Sequence, residues 1–193
     1  MQTTVINLFG GPGTGKSTAA PDIYSELKKQ GESAELVREY VKHWAYTKRK
    51  IGKYDQLYLL GKQSHYESFL YGTVRYIVTD SPVLLAGFYA TYYHGLIASY
   101  VDEAAKGFVN HSADGGVEHL NFLLSRDFPY DPNGRYESER EALHLDGHLK
   151  EYLHSFSNEY GSNFTPIMVH ASTAKDTIMN RIFTEGRIRS DTK

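Results

Sequence analysis

A run near the start of the chain has the residue types of a phosphate-binding loop. Residues Gly10–Thr18 contain the pattern G-x-x-x-x-G-K-[ST] without a mismatch. Glycines let such a loop turn sharply, so that its backbone N–H groups point at a phosphate chain. In this pattern Lys16 is expected to reach the β- and γ-phosphates of ATP, and the Ser17 hydroxyl to bind Mg²⁺. The predicted ATP-binding residues are Gly11, Pro12, Gly13, Thr14, Gly15, Lys16, Ser17 and Thr18.

A second candidate is an acid at the end of an apolar run. Asp80 directly follows Tyr76–Thr79, which has the pattern of a buried strand. A carboxylate there can bind Mg²⁺, hold one of its waters, or take a proton from an attacking hydroxyl. The competing interpretation is an aspartate that only caps the turn before Pro82. We predict that Asp80 binds metal or acts as the base, and that Lys16 is catalytic.

Three charged residues mark a possible acceptor site. Glu35, Arg38 and Glu39 lie on or just past a second predicted strand. An arginine can hold an acceptor phosphate or carbonyl, and a glutamate can accept hydrogen bonds from sugar hydroxyls. Because only one face of a strand points at a ligand, not all three can contribute. A solvated strand end is the competing interpretation.

The segment Arg126–Arg140 is predicted to be a lid. It contains two prolines, a glycine and three arginines, and it follows a predicted strand. A lid that closes over a triphosphate excludes water and brings guanidinium groups to the charge that develops on the transferred phosphoryl group. We predict catalytic roles for Arg126 and Arg135; a charged surface loop is the alternative.

A basic and aromatic segment, His43–Tyr54, has four cations among its aromatic side chains. Cations beside stacking residues suit a nucleotide or a base in a nucleic acid strand. A solvated loop with aromatics packed beneath it is the competing interpretation. Gln63, on the helix predicted to follow, could bind a base edge through its amide or could lie on the surface.

These residues need a scaffold that gathers them, and the apolar pattern predicts one. Five short apolar segments alternate with helical stretches, which is typical of a parallel sheet. The predicted strands are Thr3–Phe9, Ser33–Glu39, Tyr76–Asp80, Leu120–Leu124 and Pro166–His170. The predicted helices are Ser17–Gln30, Tyr54–Tyr71, Pro82–Ala105 and Ser172–Arg187. Right-handed crossovers then give a three-layer α/β/α fold, with ligands beyond the carboxyl ends of the strands.

Composition narrows the class of protein. With 193 residues and 40% hydrophobic content, we expect one domain spanning residues 1–193, with its lid at about 126–140. A net charge of −2 argues against a globally basic nucleic-acid binder, and the absence of cysteine excludes disulfides and thiolate chemistry. No signal peptide or apolar membrane span is visible. We therefore expect no membrane partner and a cytoplasmic location.

In order along the chain, these motifs resemble those of NadR-like P-loop kinases. The resemblance rests on Gly10–Thr18, Glu35-x-x-Arg38-Glu39, Asp80 and the Arg126–Arg140 stretch. That group includes nicotinamide riboside kinase domains and many small bacteriophage ATPase-like proteins. It implies that Lys16 and Ser17 serve ATP and Mg²⁺, and that Glu35 and Arg38 face the acceptor.

Two further families are similar in part. The turn Asp80-Ser81-Pro82 resembles that of thymidylate kinases, although the arginine of that turn is absent here. Bacteriophage kinases that phosphorylate 5-hydroxymethyluracil within DNA are also compact P-loop proteins. For those, the segment from Trp44 to Tyr54 would suit strand binding.

Three functions follow as hypotheses. The first is an ATP-dependent kinase acting on a nucleoside- or nucleotide-type acceptor, as a monomer or homodimer, in a bacterial or phage-infected cytosol. The second is a DNA-modifying kinase acting on a hydroxymethyl base within DNA. The third is a P-loop ATPase that works as a motor or switch, which would require a ring or a partner rather than an acceptor.

Overall fold

A parallel sheet of five strands forms the centre of the molecule. The computed structural model describes residues 1–52, 54–93 and 95–190, with the backbone alone for residues 185–190. The strands are β1 (Thr4–Phe9), β2 (Ala34–Val37), β3 (Tyr76–Thr79), β4 (Glu118–Ser125) and β5 (Ile167–His170). They are hydrogen-bonded in the order β2-β3-β1-β4-β5, and each neighbouring pair is parallel. The predicted five-stranded parallel sheet is confirmed.

Helices cover both faces of this sheet. They are α1 (Lys16–Lys29), α2 (Lys42–Tyr46), α3 (Asp55–Ser68), α4 (Leu84–Tyr92), α5 (Ala98–Asp114), α6 (Glu139–Tyr160) and α7 (Ala174–Ser190). One core cluster packs α1 and α7 against the sheet, and a second packs α4, α5 and α6 against the sheet. The predicted three-layer α/β/α architecture is therefore also confirmed.

The central strand shows why the apolar runs form a sheet. All six residues of β1 are buried, as expected of a strand with a neighbour on each edge and helices on both faces. Val5 pairs with Ile77 of β3 on one side and with His119 of β4 on the other. A mostly apolar run without strict alternation is typical of such a strand, and in β1 it is interrupted only by the buried Thr4 and Asn7.

Two helical regions differ from the prediction. The stretch predicted to be largely helical, Pro82–Ala105, forms α4 and the first part of α5, and α5 continues to Asp114. The 22-residue α6 was not among the predicted helices. The sequence nevertheless contains a signal for the start of α6, because Ser138 and Glu141 form a capping box that satisfies N–H groups of the first turn.

The topology places several predicted site residues at one edge. Because the strands are parallel, their carboxyl ends lie together, and α1 begins at that same edge after β1. Asp80 directly follows β3, Arg126 directly follows β4, and Glu39 is two residues past β2. Within the described ranges, no helix combines the length and apolar character that crossing a membrane requires.

Candidate functional site

The loop between β1 and α1 adopts a tight turn that glycine makes possible. Gly13 and Gly15 have φ of 80° and 86°, in the left-handed region where a side chain would be strained. The Lys16 ammonium folds over the loop and donates to the carbonyl oxygens of Gly10 at 2.6 Å and Gly11 at 2.9 Å. The cation is thereby held at the mouth of the loop, where a phosphate chain would bind.

The segment 126–138, between β4 and α6, lies against this loop. A Cβ added to Gly13 would stand 2.9 Å from the Arg126 guanidinium and 2.9 Å from the Tyr130 ring. The Arg126 guanidinium also donates to the Pro12 carbonyl oxygen at 2.7 Å. Gly13 is therefore required twice, by its backbone conformation and by the approach of these two side chains.

Asp146 of α6 joins the loop to the 126–138 segment. Its Oδ1 accepts from the Gly11 N–H at 2.9 Å, and its Oδ2 accepts from the Arg126 guanidinium at 2.9 Å. The Arg126 side chain is only 10% exposed, so the ion pair is largely removed from solvent. Sequence analysis missed Asp146; its one signal is an acid beside the apolar positions Leu145 and Leu149 of α6.

Oxygen ligands suited to Mg²⁺ lie beside the loop. Ser17 and Asp80 both line the cavity described below, and a hydroxyl with a carboxylate is a donor set that this hard cation prefers. Asp80 is buried, and its Oδ1 accepts from the Glu39 N–H at 2.8 Å. The Ser17 hydroxyl accepts from the Lys42 ammonium at 2.9 Å, so this ammonium would have to give way for a metal ion to bind the same oxygen. The residues fit a magnesium ion. Lys42 was not identified from the sequence.

Charged groups at the loop affect one another. Burial raises the pKa of Glu39 above its ordinary value, and Lys16 partly opposes this shift. Burial also lowers the pKa of Lys16, while Glu39 and Asp80 act in the opposite direction. A carboxylate with a raised pKa beside a phosphate-binding lysine is a good proton acceptor at neutral pH.

A cavity, which we call the inner cavity, extends from the loop between β3, α3 and α4 and has a volume of about 120 Å³. Its polar lining includes Lys16, Ser17, Glu39, Lys42 and Asp80. Its opposite side is apolar and aromatic, with Leu59, Leu85, Ala86, Tyr40, Tyr89 and Tyr93. Such an arrangement places an apolar, ring-binding wall next to a phosphate site.

Gln63 lies at the base of this cavity rather than on the surface. It is 5% exposed, and its amide nitrogen donates to the Thr79 hydroxyl at 3.2 Å. A buried amide offers both a donor and an acceptor to a planar polar ligand. Two positions for Gln63 were compatible with the sequence, and the structure excludes the one on the surface.

Arg135 closes the inner cavity from the 126–138 segment. Its Nε is buried and has no hydrogen-bond partner among the described residues. An orphaned buried donor of this kind is costly unless a ligand completes it. The segment also contacts α2 and the residues after it: Tyr136 donates to the Arg49 carbonyl oxygen at 2.7 Å, and Gly134 packs against Tyr46.

The other predicted site residues are placed differently. Glu35 and Arg38 are exposed and lie outside the inner-cavity lining that the described residues form, whereas Glu39 is part of that lining. In the basic and aromatic segment, Trp44 is 3% exposed and the Arg49 guanidinium stacks on its ring at 3.6 Å. Lys53 of that segment lies outside the described residues.

Comparison with known proteins gives a family match and a fold. The family model described as "AAA domain" matches residues 5–163. The structure of deoxyadenosine kinase from M. mycoides with products dCMP and a flexible dCDP bound is similar, with a TM-score of 0.59 and 17% identity over 93% of this chain and 99% of that chain. The same enzyme with bound dATP gives a TM-score of 0.52 and 18% identity over 92% and 98%.

A third structure is more distant. The Mycobacterium tuberculosis APS kinase CysC in complex with AMPPNP and APS gives a TM-score of 0.47 and 16% identity, over 92% of this chain and 96% of that chain. No curated protein matches the sequence. At 17% identity the likeness to deoxyadenosine kinase establishes the fold alone, which is the fold of that enzyme.

Proposed function

The chain belongs to the AAA domain family, and we propose that it is an ATP-dependent kinase that transfers the γ-phosphoryl group to a nucleoside- or nucleotide-type acceptor. The observation that carries this proposal is the inner cavity, which joins the phosphate-binding loop to an aromatic wall and a buried Gln63. A motor or switch ATPase needs the loop but has no use for an aromatic wall that continues from it.

Each part of the site has a role in this proposal. Lys16 and the backbone N–H groups of residues 13–17 bind the triphosphate, and Ser17 with Asp80 would hold Mg²⁺, which neutralises charge on the phosphates when bound. Arg135 supplies its guanidinium, whose buried Nε has no partner among the described residues, to the transferred phosphoryl group. Arg126, tied to Pro12 and Asp146, fixes the shape of the loop.

The transfer step assigns the proton to Glu39. A bond forms between the acceptor hydroxyl oxygen and the γ-phosphorus while the bond from that phosphorus to the bridging oxygen breaks, and ADP leaves with the bonding electrons. The hydroxyl proton goes to the Glu39 carboxylate, whose raised pKa suits it to this task. Enclosure by the 126–138 segment, acting as the lid of a single domain, would keep water from competing with the acceptor.

The acceptor base is proposed to lie between the tyrosines of α4 and Leu59, with its edge hydrogen-bonded to Gln63. Glu39 can receive a sugar hydroxyl at the same time. Glu35 and Arg38, exposed in this structure, remain predicted acceptor contacts through their place at the end of β2 and through the family resemblance. That resemblance to NadR-like kinases nominates nicotinamide riboside as one acceptor to test.

A base within DNA is a less suitable acceptor for this site. The stacking role proposed for the basic and aromatic segment needs a free indole, and Trp44 is buried beneath Arg49. We therefore favour a small acceptor and place DNA containing 5-hydroxymethyluracil among the alternatives to be measured.

The test is phosphoryl transfer from ATP with Mg²⁺ to separate acceptors, with products identified by mass spectrometry. The panel contains deoxynucleosides, nicotinamide riboside, nucleoside monophosphates, and oligonucleotides with and without 5-hydroxymethyluracil. Transfer to one class supports a kinase; ATP hydrolysis at the same rate with and without every acceptor would contradict it and favour a motor or switch.

Variants separate the loop from general effects on folding. We expect Lys16→Ala to abolish transfer while its circular dichroism spectrum stays native, and Lys28→Ala, on the exposed end of α1, to leave transfer unchanged. Sedimentation velocity with ATP addresses assembly: a monomer or homodimer agrees with the proposal, and a hexamer favours the motor.

A further inference from the structure

A second, larger compartment adjoins the inner cavity. This outer groove has a volume of about 1030 Å³ and lies between the residues that follow α2, the end of α4 and the 126–138 segment. Arg135, Tyr89 and Tyr93 line both compartments. A ligand seated at the phosphate-binding loop therefore has a continuation of the site on the far side of Arg135.

The sizes of the two compartments indicate that an acceptor extends outward. Pockets that hold small molecules typically measure about 300–1,000 Å³. The inner cavity, at about 120 Å³, is well below this range, whereas the outer groove reaches it. An acceptor that is larger than a nucleoside is therefore expected to extend from the inner cavity into the outer groove.

The outer groove carries two lysines with no carboxylate partner. Lys48 and Lys50 line it, and neither forms an ion pair within the described ranges. Arg49, between them, is directed elsewhere, since its guanidinium stacks on Trp44 and pairs with Asp55 at 3.3 Å. Lys48 and Lys50, on either side of Arg49, are therefore the lysines of this segment that, among the described residues, line the groove without a carboxylate partner.

The acids of the outer groove are already engaged. Glu137 accepts from the Tyr93 hydroxyl at 2.7 Å. Glu141 accepts from the backbone N–H and the hydroxyl of Ser138, each at 2.7 Å, as part of the cap of α6. These donors are neutral and leave both carboxylates charged, so the described walls carry three cations, Lys48, Lys50 and Arg135, against two acids, and the excess charge is positive.

We propose that the outer groove binds a phosphate group carried by the acceptor, at a position remote from the hydroxyl that receives the phosphoryl group. Lys48 and Lys50 hold this phosphate, while the nucleoside part occupies the inner cavity. The proposal rests on the kinase function proposed above. It names the acceptor class as a nucleoside that already bears a phosphate monoester or diester, from a free nucleotide or from the end of an oligonucleotide.

The experiment compares acceptors that differ only in this phosphate. Deoxyadenosine, deoxyadenosine 3′-monophosphate and the dinucleotide dApdA each offer the same 5′-hydroxyl, and thymidine forms a parallel set. We expect kcat/KM for the phosphate-bearing members to exceed that of the nucleoside by about tenfold or more, the effect of one charge-assisted hydrogen bond. Added salt should reduce this advantage. An advantage of the monophosphate points to a free nucleotide, and one confined to the dinucleotide points to an oligonucleotide end.

Charge variants assign the effect to the two lysines. K48Q/K50Q should remove the advantage and leave the nucleoside rate unchanged, K48R/K50R should retain it, and K28Q/K150Q, at exposed positions outside the groove, should behave as wild type. Equal kcat/KM with and without the phosphate, or an advantage that survives in K48Q/K50Q, would overturn the proposal.

A binding measurement keeps this inference separate from the kinase proposal. Calorimetric Kd values for deoxyadenosine and deoxyadenosine 3′-monophosphate need no turnover. If no acceptor is phosphorylated but the 3′-phosphate tightens binding through Lys48 and Lys50, the kinase proposal fails and the phosphate site stands. If deoxyadenosine is phosphorylated and the phosphate changes neither Kd nor kcat/KM, the kinase proposal stands and the phosphate site is refuted.

Discussion

Glu67 of α3 is a fully buried acid, and its removal gives a quantitative test of the packing beneath the site. Its side chain is 1% exposed, Oε1 accepts from the Tyr71 hydroxyl at 2.7 Å, and Oε2 has no partner among the described residues. Burial raises the pKa of Glu67 from 4.5 to about 7, partly opposed by the Tyr71 hydrogen bond. The folded protein therefore prefers the neutral acid.

The sign and size of the effect follow from this shift. Below about pH 4.5 the Glu67 carboxyl is protonated in the folded and the unfolded chain. From there to about pH 7 the unfolded chain loses the proton while the folded chain keeps it, so the free energy of unfolding falls as pH rises. At 1.36 kcal/mol per pKa unit, the loss is about 3 kcal/mol by the end of this interval.

Glu67→Gln keeps an acceptor for Tyr71 and is neutral at every pH. We expect the free energy of unfolding of the variant, minus that of wild type, to rise by about 3 kcal/mol between pH 4.5 and 8. Urea denaturation at several pH values measures it, and Glu103→Gln, at an exposed position of α5, is the control. A difference that does not change with pH would refute the assignment of a buried, neutral Glu67.

Four predictions concern the site itself. Arg135→Lys keeps the charge but loses the planar guanidinium. In single-turnover transfer we expect kcat to fall by about 100-fold or more. An unchanged kcat would exclude contact between Arg135 and the transferred phosphoryl group. Asp146→Asn leaves Arg126 without its carboxylate, so the free energy of unfolding measured by urea denaturation should fall by about 1–3 kcal/mol. The KM for ATP, measured by steady-state kinetics, should rise. An unaltered KM would mean that Asp146 does not hold the loop in shape. Because Glu39 must be ionised to accept a proton and burial raises its pKa, kcat/KM should decline toward acid pH at values above the ordinary glutamate range; Glu39→Gln should lose this decline together with most of the activity. Gln63→Leu should raise the acceptor KM by about tenfold with no change in ATP hydrolysis measured without acceptor, the size expected for one hydrogen bond to a base; an unchanged acceptor KM would remove Gln63 from the acceptor site.

The way in which the helices and strands pack explains why some site residues could be predicted from the sequence and others could not. Asp80 was predictable because an acid that ends an apolar run must emerge at the carboxyl edge of a parallel sheet. Glu39 could not be separated from Glu35, because β2 ends at Val37 and the following backbone turns to donate to Asp80. Neither composition nor spacing distinguishes Glu39, which lines the inner cavity, from the exposed Glu35.

Long-range partners were beyond sequence reasoning altogether. Asp146 contacts the loop from a helix 135 positions along the chain, and Lys42 reaches Ser17 across 25 positions. Trp44, chosen as a stacking residue, is covered by Arg49, and Gln63 is buried against β3. Each depends on how one element packs on another, and no local pattern records that arrangement.

The phosphate-binding loop and the parallel α/β sheet could both be predicted from the sequence, because both depend on local properties. Glycine allows the left-handed turns of a short contiguous segment, and continuous apolar runs must be buried wherever the chain goes. Other features became visible only in the folded chain: which charged residues meet at the loop, that Arg135 lines the inner cavity, and that Lys48 and Lys50 line the outer groove. Those outcomes depend on desolvation and on contacts between residues distant in the chain, which exist only once the layers have packed together.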